Sequence, residues 1–183
     1  MAKVLVPLAQ GCEELEAVTI IDLLRRAEID VTTASLSNEP VICSRGTVLI
    51  ADISLDTAMN ESFDMMVLPG GLPGADNLNA DPRIHQLITR MADSDKYVAA
   101  ICAAPKVLLQ NGILDGKTAT AYPGSLSALD TSKTTLSENP IQIDNKVITS
   151  RGPGTAMDFA LTLIETLVDK KTRDEVETGL QRP

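Results

Sequence analysis

Short, nearly continuous apolar runs alternate with amphipathic ones along almost the whole chain. Residues 3–9 (KVLVPLA) predict a buried strand. Residues 13–27 then follow helical periodicity, with Glu13, Glu14 and Glu16 in the first turn, where acids favour a helix start. Further strands are expected at 29–36, at 63–68 before Pro69-Gly70-Gly71, at 97–101 and at 118–122. Residues 41–52 read as two extended pieces around Arg45-Gly46. A hairpin is expected from 140–143 and 146–149, turning over Asp144-Asn145. Helices are expected at 81–92, capped by Asp81 with Pro82 in its first turn, at 103–110 closed by Gly112, and at 155–168 and 172–180. This alternation predicts a doubly wound α/β domain, with a mostly parallel sheet and helices on both faces, spanning residues 1–183 as one unit.

Composition narrows the functions. The chain has 183 residues, a formal charge of −9 and one histidine, His85, which rules out a multi-histidine metal site. The doublets Arg25-Arg26 and Lys170-Lys171 are expected at helix ends that favour cations, and no basic block offers a footprint for stable nucleic-acid binding. No stretch reaches the ~18 apolar residues of a membrane span, and the apolar start is too short for a secretion signal. Cys12, Cys43 and Cys102 lack metal or redox-pair spacing, which suits a reducing cytoplasm.

In a doubly wound fold, ligands bind beyond the carboxyl ends of the strands. The segment VAAICAAP carries Cys102 straight from a strand into a helix, so its side chain is expected at a tight elbow, facing a helix N-terminus that stabilises thiolate. The competing reading is a buried cysteine that only packs. Gly70-Gly71 frees backbone N–H groups to face a ligand. With the N–H of Ala103 they could form an oxyanion hole, although a simple turn would also use these glycines. Glu16 lies on the apolar face of its helix, where burial would raise its pKa and keep it protonated. Its alternative is a place at the rim of that stripe. His85 is read as a solvated helix residue, Cys43 as packing, and Cys12 as a loop residue that could resolve an oxidised Cys102.

VLVPLAQGCEELEAVTIIDLLRRA, VICSRG, FDMMVLPGGLPGADNL, VAAICAAPKVLL and ITSRGPGTAMDFAL together resemble the ThiJ/PfpI superfamily, in its branch of the Parkinsonism-associated deglycase and YajL. The resemblance covers residues 3–169. It implies a flavodoxin-like fold, a homodimer, and a reactive, oxidation-sensitive Cys102 hydrogen-bonded to a protonated Glu16. It also implies Gly71 and Ala103 backbone groups at the pocket, Pro153 in its wall, Arg45 and Arg26 near the site or the dimer interface, and no metal or organic cofactor. Where several relatives carry a histidine near the cysteine, this chain has Tyr122, which cannot act as a base at neutral pH. The implied activity is that of a glyoxalase or deglycase acting on methylglyoxal, glyoxal or their early adducts on proteins and nucleotides. The alternative is a redox-sensing chaperone whose Cys102 is oxidised to the sulfinic acid.

Overall fold

The structure, a computed structural model, describes residues 1–182. β1 (Lys3–Leu8) leads into α1 (Glu14–Arg26) and β2 (Asp30–Ser35). A small hairpin of β3 (Val41–Ile42) and β4 (Val48–Leu49) precedes β5 (Ile53–Ser54) and the one-turn α2 (Leu55–Ala58). β6 (Met65–Leu68), α3 (Leu72–Ala80), α4 (Pro82–Asp93), β7 (Tyr97–Ile101) and α5 (Pro105–Asn111) make up the centre of the chain. β8 (Thr118–Ala119), β9 (Thr135–Leu136), β10 (Ile141–Asp144) and β11 (Val147–Ser150) follow. A 3-10 turn (Pro153–Thr155), α6 (Ala156–Leu167) and α7 (Lys170–Gly179) complete it.

The main sheet runs β10-β11-β7-β6-β1-β2-β5 and is parallel except for the β10–β11 pair. Alternate residues of each inner strand supply two cores. Val4, Val6, Val67, Ala99 and Ile101 pack with Ile20 of α1, Phe159 of α6 and Val176 of α7. Leu5, Met66, Leu68, Val98 and Ala100 pack with Leu78, Ile84, Leu87 and Leu108 of α3, α4 and α5. The expected architecture is therefore the observed one, with helices on both faces. No helix of the described residues is long and apolar enough to cross a membrane.

Local readings fail at identifiable places. Residues 72–80 (LPGADNLNA) carry loop-forming Pro, Gly and Asn, and no helix was expected there. They form α3 because Pro sits in its first turn and Ala75 and Leu78 are buried. The hairpin turn is one residue later than expected: Asp144 pairs with Val147, Asn145 adopts φ 54°, and the Asp144 carboxylate receives the N–H of Thr118 at 2.8 Å. Lys170 and Lys171 open α7 instead of closing a helix; Asp169 caps it, and the lysines pair one turn on with Asp174 and Glu175. His85 is not simply solvated. Its Nε2 lies 2.9 Å from the Asn79 carbonyl and its Nδ1 3.3 Å from the Asn111 amide, tying α4 to the ends of α3 and α5.

Phe159 is the largest fully buried side chain and joins α6 to the sheet and α1. Replacing it with Ala should lower unfolding free energy by ~3–5 kcal/mol. The same change at Met157, 45% exposed on the same helix, should stay within ~0.5 kcal/mol, both read by urea denaturation.

Candidate active site

The carboxyl ends of β1, β6 and β7 meet where the chain order reverses across the sheet, with β2 on one side of β1 and β6 on the other. Cys102 follows β7 directly. Its φ of 63° is a left-handed conformation that costs a non-glycine residue free energy. Bonds on both sides hold it there: Cys102 N–H donates to Ser150 O at 2.9 Å, and Tyr122 N–H donates to Cys102 O at 2.8 Å. The strained elbow lifts the thiol above the sheet edge, where the N–H groups of Gly71 and Ala103 point at its sulfur.

Glu16 arrives from α1, which Glu13 caps by accepting the Glu16 N–H at 3.1 Å. The Glu16 side chain is fully buried, and among the described residues no cation pairs with it. Its Oε2 receives the Gly70 N–H at 2.8 Å, Oε1 has no hydrogen-bond partner among the described residues, and the carboxyl group lies beside the Cys102 thiol. Gly70 is the floor between the two. A methyl group there would stand 2.5 Å from Cys102 Cβ and 2.6 Å from Glu16 Oε2. Gly71, at φ 87°, is pressed against the backbone of Gly11, Cys12 and Glu13 and begins α3.

The electrostatics differ from the sequence expectation in one respect. Burial pushes Glu16 up to about 7, as its apolar helix face predicts. The thiol, expected to be acidified by a helix N-terminus, is instead pushed up to about 12, first by burial and then by the Glu16 carboxylate, against the two N–H groups. The helix behind it is only two turns long, and Cys102 is 8% exposed. The pair therefore holds one negative charge at most. Whichever group carries the charge, the other keeps a proton within reach.

Tyr122 borders this centre through its N–H bond to Cys102. The Tyr122 ring lies over Gly152, where a methyl group would come within 3.1 Å of it, next to the 3-10 turn that starts at Pro153. Beyond Tyr122 a cavity of about 280 Å³ is lined by Leu126, Leu129, Leu136 and Arg151. Arg45 sits on the β3–β4 hairpin, where its N–H and those of neighbouring groups bind Glu14. Despite partial desolvation, the N–H groups of Glu14, Arg45 and Thr47 and the Ser44 hydroxyl hold that carboxyl at about 2. Glu14 thus anchors a hairpin and does more than favour a helix start. Arg26 is at the other end of α1, ten positions and ~15 Å from Glu16, paired with Asp22, so it is not near the thiol. Cys12 does not face Cys102 as a resolving thiol; its sulfur lies 3.5 Å from that of Cys43. Ser150, which fixes the elbow, was missed. Its signal was the SRGPGT segment at the end of β11.

Residues 2–166 match the model of the DJ-1/PfpI family. The chain belongs to the DJ-1/PfpI family. It is 43% identical to the Parkinson disease protein 7 homolog of Danio rerio, over 97% of this chain and 96% of that protein. Another relative, 37% identical over 91% of this chain and 88% of its own length, is the glutathione-independent glyoxalase DJR-1.2 of Caenorhabditis elegans. The crystal structure of Drosophila melanogaster DJ-1beta superposes with a TM-score of 0.95 at 39% identity, covering 100% of this chain and 98% of that one. The chain spans only 40% and 46% of two longer Arabidopsis thaliana relatives, Protein DJ-1 homolog B and homolog A. Among the described residues of this DJ-1/PfpI protein, no cluster of three or more His, Cys, Asp or Glu side chains could hold a metal ion.

Gly70→Ala should displace Cys102 and Glu16 and abolish selective alkylation of Cys102, read by peptide mass spectrometry. Glu16 also leaves a pH signature. Its folded pKa, about 7, exceeds the ordinary 4.5, so the folded state binds more protons between those values and stability falls as pH rises through that window. Glu16→Gln should flatten that part of the stability–pH curve. Glu14, held at about 2, acts oppositely: its contribution is present above 4.5 and is lost as pH falls toward 2.

Proposed function

We propose that this protein is a cysteine-dependent, cofactor-independent glyoxalase or deglycase that acts on methylglyoxal, glyoxal or their early adducts on protein side chains and nucleotides. The observation that carries this reading is the pairing of the Cys102 thiol with the buried Glu16 carboxyl over Gly70. The Cys102 sulfur adds to the aldehyde carbon, and the carbonyl oxygen becomes the hydroxyl of a hemithioacetal. The N–H groups of Gly71 and Ala103 stabilise negative charge at this centre as it forms. Glu16 then takes the proton from the former aldehyde carbon and returns it to the neighbouring carbon. This oxidises the first carbon to a thioester and reduces the second to an alcohol. Water cleaves the thioester, releasing a 2-hydroxy acid and the thiol. The redox change stays inside the substrate, so no external electron acceptor is needed. With an adduct as substrate, the amine or thiol is released as well. The nematode relative, named a glutathione-independent glyoxalase, supports the reading.

A second reading, a redox-sensing chaperone, rests on the N–H groups aimed at the sulfur, which would equally hold a sulfinate at Cys102 beside a protonated Glu16. In both readings the protein works in the cytoplasm in defence against carbonyl and oxidative stress, without binding nucleic acid or membrane, as a homodimer. The exposed Leu15 and Val18 of α1 and Ile50 after β4 form an apolar strip suited to a second copy. Val18 and Ile50 share a shallow groove of about 260 Å³ with Ile21 and Leu49. Arg26, farther along the same helix, and Arg45 on the hairpin belong to that side of the proposal.

Methylglyoxal consumption with hydroxy-acid release should fall to background in Cys102→Ser and by ~10²–10⁴-fold in Glu16→Gln. Unchanged turnover in Cys102→Ser would overturn the enzymatic reading. Suppression of client aggregation that depends on Cys102, without turnover in the wild type, would favour the chaperone.

A further inference from the structure

A second pair of sulfur atoms lies outside the elbow. Cys12 follows β1 and Cys43 follows β3, and their Sγ atoms are 3.5 Å apart with both side chains buried. Backbone bonds fix the two segments side by side: Gly11 N–H donates to Ile42 O and Ser44 N–H donates to Cys12 O, each at 2.8 Å. Gln10 adds a further clamp, its Oε1 receiving the Ile42 N–H and its Nε2 donating to Pro40 O. The only other contact of hydrogen-bond type to either sulfur among the described residues is a long one, 4.0 Å from Cys43 Sγ to Val41 O. Burial keeps both protonated in the closed state; Cys43 adds to this at Cys12, while the bond from Cys12 opposes it at Cys43. The hairpin that covers them is a surface element of two short strands, with Ile42 59% and Val48 57% exposed.

We propose that Cys12 and Cys43 form a reversible intramolecular disulfide that staples the β3–β4 hairpin to the loop supporting Gly71. When the hairpin opens, one thiol loses its proton, attacks a small-molecule disulfide and expels one small thiolate. When the hairpin recloses, the second thiol attacks the resulting mixed disulfide and expels the other. In sum, the two protein thiols give up two electrons and two protons, one S–S bond is broken and one is made, and two small thiols are released. Closing the 3.5 Å gap to the ~2.05 Å of a disulfide is a small movement for side chains whose backbones are already clamped together. Such fixed proximity favours the internal bond over a persistent mixed disulfide. The staple would bear on the active site, because the Cys12 backbone touches Gly71 and Gly74.

The test uses the Cys102→Ser protein, so its result does not depend on whether Cys102 is a nucleophile. The protein is incubated with excess glutathione disulfide, with and without sub-denaturing urea, quenched by alkylation and mapped without reduction. The expected result is one Cys12–Cys43 cross-linked peptide in a monomeric chain, reversed by dithiothreitol and formed faster in urea. Tryptic cleavage after Arg45 should slow by roughly tenfold in the oxidised form. Cys43→Ser in the same background should trap Cys12 as a mixed disulfide in urea, showing that oxidant reaches it. Two free thiols in both arms, persistent mixed disulfides on both cysteines, inter-chain links, or an unreactive Cys12 in the Cys43→Ser protein would each overturn the proposal.

Discussion

Glu16 places a carboxyl in the interior with no cation among the described residues to neutralise it, and much of the surrounding structure follows from that burial. An isolated carboxylate would be costly there, so the group either keeps its proton or shares charge with its neighbours. The Gly70 N–H satisfies one oxygen, the other has no fixed partner, and the carboxyl as a whole lies beside the Cys102 thiol. Two weak acids in one dry space cannot both ionise, which makes a proton available beside a sulfur nucleophile near neutral pH. Gly70 makes this arrangement possible because any larger residue would occupy the space between them.

The same requirement accounts for the strain at Cys102. A cysteine in the left-handed region persists only where its surroundings determine it, and here the Ser150 carbonyl and the Tyr122 N–H fix the peptide groups on either side. Those partners come from β11 and from the loop after β8, which are distant in sequence. The elbow is therefore a property of the assembled sheet. Its purpose is to set the sulfur against the N–H groups of Gly71 and Ala103, which only a turn of this shape exposes together.

A second layer of organisation joins the β3–β4 hairpin to the site. Glu13 caps α1 and passes its N–H to Gly70 O, while Glu14, the next residue, turns outward to hold the hairpin. Adjacent acids thus serve opposite sides of one loop. The Cys12 and Cys43 sulfurs lie inside this junction, where a bond between them would tighten the connection between the surface and the floor of the pocket.

The sequence by itself determined the architecture, because strand runs such as KVLVPLA and YVAAI bury both faces and helices such as 81–92 carry their own caps and periodicity. It also singled out Cys102, since a strand running into a helix leaves few conformations at the junction, and Glu16, since a carboxylate on an apolar face stands out in a helical pattern. Residues 72–80 were illegible as a helix because burial of Ala75 and Leu78 overrode weak local propensity. The raised pKa of the thiol and the pairing of Cys12 with Cys43 were decided only by the tertiary structure. Each depends on which groups from remote parts of the chain share a low-dielectric space, and no spacing along one strand or helix encodes that distance.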